Sequence, residues 1–298
     1  MDLIVRDTSA ADMSEAAVFK LYHYDPTVAG AVVFVFLFLA TTILHFWQLV
    51  RSRCWFLIPL TVGGVLQVIG YAARAKSGQE SPNWSLGPYI IQSILLLVAP
   101  ALYAATVYME LGRIITVLDG EGHCLIRKEW LTKLFVAGDV LSFFLQGGGG
   151  GYQASGTLDA LKAGAKVIIV GLFVQLICFG LFVVVAVAFH RAINNAPTGR
   201  SNSSIPWRKH MTALYVGSFL IMVRSVFRAA EYLQGFDGYL LKHEAYLYIF
   251  DALLMFLVMV LFNWIHPAEI GAILAGGGGG QHWKMDSLPQ HHHHHQRL

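Results

Sequence analysis

The chain has 298 residues, of which 56% are hydrophobic and only 13% charged, with a net charge of +3 at pH 7. A soluble domain carries about 25% charged residues, so this composition argues against a water-soluble fold and for a polytopic membrane protein. The positive charge is small and dispersed, with no basic stripe interleaved with aromatics, which argues against nucleic acid as a partner.

Residues 1–28 hold Arg6, Asp7, Asp12, Glu15, Lys20 and Asp25. That is too polar for a cleaved signal peptide, so the first apolar block is expected to target the chain and stay. Seven apolar blocks follow, near 29–50, 55–75, 88–111, 131–149, 164–189, 212–234 and 244–265. Each has roughly the 17–25 residues a spanning helix needs. The expected fold is therefore an all-α polytopic membrane protein with seven transmembrane helices between residues 29 and 267.

Lys and Arg in the connections set the orientation. Arg51, Arg53, Arg113, Arg127, Lys128, Arg191, Arg200, Arg208 and Lys209 fall on one side. Arg74, Lys76, Lys162, Lys242, Arg6 and Lys20 fall on the other. The bias places the N-terminus outside and the C-terminus in the cytoplasm. The sequon at Asn83 then faces outward as a glycosylation candidate, and that at Asn202 faces inward and is silent.

The run "QGGGGG" (Gln146–Gly151) is expected to end the fourth helix and to let backbones approach closely. Residues 268–298, with a second glycine run and "HHHHH", read as a flexible cytoplasmic tail without a part in the mechanism. Pro59 and Pro100 are expected to kink their helices. Cys54, Cys124 and Cys178 show no paired spacing.

The chemistry lies in charged residues inside the apolar blocks. "RSVFRAAE" places Arg224, Arg228 and Glu231 at i, i+4 and i+7, on one helix face. A charged side chain at mid-membrane costs roughly 2.5–3.5 kcal/mol, and each large apolar residue returns only about 0.3–0.6. These residues must pair or face water. Depths counted at about 1.5 Å per residue suggest Arg224 with Asp139, and Arg228 with Asp251 or Glu231. Further polar groups sit at comparable levels: Gln67, Tyr71 and Arg74 on one face of the second helix, Gln92, Ser142, Gln146 and Gln175. His243 and Glu244 open the seventh. The reading is a polar cavity open to the outer half of the bundle, set against helix–helix glue at about 0.6 kcal/mol per contact.

His45 and His266 read as interfacial histidines, because no HxxxH or HExxH spacing supports a metal. No cofactor is indicated, and no nucleotide loop or hydrolase elbow appears. An intramembrane hydrolase would need a clustered nucleophile, for which Asp139, Ser142 and His243 are too scattered.

"GYAAR" (Gly70–Arg74), "QSILLLVAPALYAATVYMELGRII" (Gln92–Ile115), "GDVLSFFLQGGGGG" (Gly138–Gly151), "GLFVQ" (Gly171–Gln175), "RSVFRAAE" (Arg224–Glu231) and "HEAYLYIFD" (His243–Asp251) together resemble the fungal RTA-like, aminocholesterol-resistance family of lipid-translocating exporters. The resemblance runs in order from about Tyr22 to Pro267. It implies a seven-helix fungal protein, usually of the plasma membrane, whose relatives are linked to sphingoid-base release, aminosterol resistance and porphyrin uptake. Its motif residues fall here on Arg74, Gln92, Asp139, Gln146, Gln175, Arg224, Arg228, Glu231, His243, Glu244 and Asp251. The expected function is translocation of lipids or amphipathic compounds, not catalysis. The expected partners are those molecules. The alternative is a seven-helix receptor or stress sensor that binds such a ligand without moving it.

Overall fold

The computed structural model describes residues 25–275 except 82, 84, 154, 156, 203, 204, 236 and 237. The first 24 residues and the tail from residue 276, which hold most of the expected N-terminal segment and the glycine and histidine runs of the tail, lie outside this description.

Among the described residues the fold is all helix. Seven long helices follow one another: α1 (Val28–Ser52), α2 (Ile58–Gln79), α3 (Leu86–Val117), α4 (Lys128–Gln153), α5 (Leu158–Asn195), α6 (Trp207–Leu233) and α7 (Glu244–Trp264). A short helix, α8 (Ala268–Ala275), closes the described chain. Six of the seven long helices are apolar and long enough to cross a membrane; α4 is not among them. Lys128, Glu129, Lys133, Asp139 and its glycines dilute its apolar character.

The helices form a closed ring. Each packs on the next from α1 to α7, and α7 returns to α1. α3 runs through the middle, reaching α6 as well as α2 and α4, and α8 docks on α3. The interior is largely apolar, as in a soluble protein, but the outside is apolar as well. Phe36, Phe144, Ile177 and Phe219 point outward at 59% exposure or more, while Arg74, Glu110, Asp139, Arg224, Glu231 and Asp251 are buried. An outward apolar belt around buried charge is what a bilayer solvent selects.

Local chemistry explains the helix boundaries. Arg53 takes a left-handed conformation (φ 52°) and stops α1. Pro59 sits in the first turn of α2, where its missing N–H has no partner to lose, so it starts the helix rather than kinking it. Pro100 lies inside α3. Thr157 caps α5, its hydroxyl accepting the Ala160 N–H.

Two further sequence expectations change, and α7 departs from regular geometry. The glycine run does not end α4, which continues as helix to Gln153. In place of helix-ending positive φ, only Gly149 makes a demanding contact: a Cβ there would lie 2.7 Å from the Gly164 carbonyl of α5, whereas Gly147, Gly148, Gly150 and Gly151 meet nothing within 4 Å. The run is therefore a helix–helix approach site. Residues 268–275, placed in the flexible tail by the sequence, form α8. And α7 is not a regular α-helix: Tyr248–Leu253 is a π segment, which re-phases the helix face at Asp251.

Candidate functional site

The charged and glutamine side chains buried in the bundle fall into four groups, and α3 contributes to three of them. The first joins α2 to the start of α7. Arg74 donates to Glu244 Oε1 at 2.7 Å and to the Tyr248 hydroxyl at 3.2 Å. The Thr27 N–H donates to the same Glu244 carboxylate at 3.0 Å, which ties in the entry to α1. Tyr248 stacks on Phe34 at 5.4 Å between centroids.

The second group lies between α6 and α7. Arg224 donates through Nε to Asp251 Oδ1 at 2.6 Å and through Nη2 to the Leu96 carbonyl of α3 at 3.1 Å. Arg228 donates to Glu231 Oε2 at 2.5 Å, one turn along the same helix, and its guanidinium lies over the Tyr232 ring. Buried Tyr71 lies within electrostatic reach of Arg74, Asp251 and Arg224, and so links the first two groups. Buried Tyr103 of α3 sits against Gln67 and within reach of Arg224. Gln92 is buried on α3, one turn before Leu96. These residues make three arginine–carboxylate pairs, so their charges cancel.

The third group joins α4 and α5. Gln146 donates to the Ser142 hydroxyl at 2.6 Å and to Gln175 Oε1 at 3.2 Å, and Ser142 donates to the Gly171 carbonyl at 2.8 Å. Deeper along α4, Asp139 accepts the Tyr108 hydroxyl of α3 at 2.9 Å on Oδ2, and its Oδ1 is buried with no hydrogen-bond partner. Beside this pair the outer surface of α4 and α5 carries an apolar groove of about 300 Å³. Leu134, Phe135, Gly138, Leu141, Cys178 and Leu181 line it.

The fourth group lies near α8. His210 of α6 faces Glu110 Oε1 through Nδ1 at 3.3 Å and Glu269 Oε2 through Nε2 at 3.1 Å. Lys209 also donates to Glu269, at 3.2 Å.

Several expected neighbours meet and one does not. Arg228 meets Glu231, and Arg224 meets a carboxylate, but that carboxylate is Asp251 and not Asp139. The pairing of Arg224 with Asp139 fails for two reasons. α4 packs on α3 and α5, and α6 packs on α3, α5 and α7. Moreover, because the glycines continue α4 to Gln153, Asp139 lies about 21 Å from that end, not about 15 Å. Its partner Tyr108 is 12 residues beyond Leu96, so Asp139 and Arg224 sit at levels about 18 Å apart along α3. A single polar hollow shared by α4, α6 and α7 is therefore replaced by separate, packed groups. His243 stands at the α7 entrance, exposed, contacting the Tyr239 carbonyl at 2.8 Å and not the arginines.

The interfacial reading of His45 also changes: it is buried, with Nε2 2.9 Å from the Met259 carbonyl, and its ring lies 6.4 Å from that of His266. Asn83 is exposed in the α2–α3 connection. Sequence reasoning missed Glu110 and His210. Both sit within a few residues of an expected span end, at 110 against 111 and at 210 against 212, where a charge looks interfacial and cheap. Among the described residues, no group of three or more His, Cys, Asp or Glu is arranged to hold a metal ion.

An outward apolar belt, a ring of long helices and internally neutralised charge define a multi-pass integral membrane protein with a buried polar interior. A family model described as RTA1 like protein matches residues 60–272, and the chain belongs to this family. It is 36% identical over 280 residues to Protoporphyrin uptake protein 1 of Saccharomyces cerevisiae, covering 82% of this chain and 91% of that one. It is 37% identical to Protein RTA1 of the same yeast, covering 82% and 84%. It is also 26% identical to the Sphingoid long-chain base transporter RSB1 of that species, covering 75% and 67%. No solved structure matches.

Proposed function

We propose that the chain is a translocator of amphipathic molecules with an amine head and an alkyl body, and that Asp139 receives the head. One observation carries this reading. Among the described residues four carboxylates are buried: Glu110, Asp139, Glu231 and Asp251. Glu231 and Asp251 bond arginines and Glu110 bonds His210, while Asp139 accepts only a tyrosine hydroxyl. An ionised carboxylate without a cation is costly in a low-dielectric interior. A long-chain amine would relieve that cost, with its ammonium at Asp139 and its chain along the groove of Leu134, Leu141 and Leu181.

The paired arginines then have a structural role. Arg74 ties α2 to α7, Arg224 ties α6 to α7 and α3, Arg228 pairs with Glu231 within α6, and Gln146 and Gln175 hold α4 to α5. The relatives named for sphingoid-base transport and porphyrin uptake support an amphipathic cargo. In this reading α4 crosses the bilayer with the other six long helices, the N-terminus lies outside, and the protein works in the plasma membrane.

The test is purified full-length protein in liposomes carrying a fluorescent long-chain amine in one leaflet. Movement between leaflets that Asp139→Asn abolishes supports the reading. Binding without movement would make the protein a sensor of the same ligand.

A further inference from the structure

The Glu110–His210–Glu269 group is not used by the amine-head reading, and its geometry has its own consequence. Each ring nitrogen of His210 faces a carboxylate oxygen, Glu110 Oε1 at 3.3 Å and Glu269 Oε2 at 3.1 Å. A nitrogen lone pair does not face an ionised carboxylate favourably, so each of the two lines must carry a proton. A neutral imidazole has one N–H. The triad therefore holds one proton more than a neutral ring and two carboxylates would supply.

The three members differ in access. Glu110 and His210 are fully buried, whereas the Glu269 side chain is 44% exposed on α8. Glu110 Oε2 is buried without a hydrogen-bond partner, at the inner end of the row. We propose that Glu110, His210 and Glu269 form a proton-loading site that exchanges a proton between water at the α8 face and the buried carboxylate of Glu110.

The step balances. A proton on Glu269 passes to His210 Nε2, forming that N–H bond. The Nδ1–H bond breaks and its proton joins Glu110 Oε1. Two protons are shared before and after, and Glu269 is left ionised. Its carboxyl suits this end: burial raises it, but hydrogen bonds from His210 and Lys209 outweigh burial and hold it below the usual glutamate range.

The other titratable groups around His210 are Lys209 on its own helix and His266 after α7, with His45 of α1 behind His266. Burial pulls the His266 imidazole down to about 4, so it stands neutral there. His190 of α5 packs instead on Trp207 and Tyr215. Coupling of this proton to cargo movement rests on the translocator reading above; the proton site itself does not.

The experiment uses full-length protein in nanodiscs, followed by infrared spectroscopy through a pH titration, and the same protein in liposomes with a pH gradient and a fluorescent long-chain amine. The wild type should show a protonated-carboxyl signal that Glu110→Gln removes. Glu269→Gln, at the exposed end, should keep the signal and slow its exchange after a pH jump at least about tenfold. If neither variant changes the signal or its exchange, the proton site is refuted, whatever the liposomes show. If both behave as expected and the wild type moves no amine, the proton site stands and the translocator reading fails. If the amine moves, the gradient should accelerate it in the wild type and not in Glu110→Gln.

Discussion

Asp251→Asn is the sharpest perturbation of the paired interior. Arg224 is 3% exposed, and its strong contact is the 2.6 Å bond to Asp251, with the Leu96 carbonyl at 3.1 Å as the remaining partner. The neutral amide leaves a buried guanidinium without its counter-charge, which costs about 3–5 kcal/mol. For a chain of this size that lowers the melting temperature by about 6–20 °C. The double substitution Arg224→Met with Asp251→Leu removes both charges and fills similar volume, so it should recover most of the loss. The assay is thermal unfolding in detergent of Asp251→Asn, and of Arg224→Met, Asp251→Leu and their double variant read as a mutant cycle. Single substitutions that melt with the wild type, or a double variant as unstable as the two losses added, would refute the argument.

Asp139→Asn behaves in the opposite way. Its only partner is the Tyr108 hydroxyl, which an amide oxygen still accepts, so melting should shift by about 1 kcal/mol or less while amine movement in liposomes is lost. The glycine run divides by contact: Gly149→Ala meets the Gly164 carbonyl at 2.7 Å and should destabilise by about 1–3 kcal/mol, whereas Gly148→Ala, with open space, should be neutral or stabilising by up to about 1 kcal/mol. Thermal melts of the two variants check the difference. Glu269 is held below its usual range, so its contribution to α8 docking is present at neutral pH and is lost as pH falls through the depressed value. Cys54, whose thiol contacts α8 at the Ala268 carbonyl, reports this: its labelling by an acid-tolerant disulfide reagent should rise as pH falls below the usual glutamate range, and Glu269→Gln, which keeps hydrogen-bonding groups but has no charge to titrate, should lose that rise.

Much of the helical layout was legible because each apolar block of spanning length demands a helix in lipid, and because Arg224, Arg228 and Glu231 at helical spacing must point inward. Which carboxylate meets which arginine was not legible. Depth alone could not rank Asp139 and Asp251 as partners of Arg224; that choice depends on lateral order around α3, which hydropathy does not encode. The glycine run misled for a related reason. Glycine commonly ends helices in water, but in a membrane bundle small residues mark close approach, and Gly149 against Gly164 shows the second use. The π segment at Asp251 has no sequence signature at all, yet it sets the face on which that carboxylate stands. Glu110 and His210 escaped because each lies near a span end, where a polar residue needs no explanation until the fold buries it.

The most direct measurement is photo-crosslinking of a long-chain amine carrying a photoreactive tail to the purified full-length protein in liposomes, mapped by mass spectrometry. The account predicts labels on Leu134, Leu141 and Leu181 in the α4–α5 groove, lost in Asp139→Asn and kept when the amine is replaced by a neutral amide only at a much lower level. Labels clustered instead around Arg224 and Asp251, or unchanged by Asp139→Asn, would contradict it.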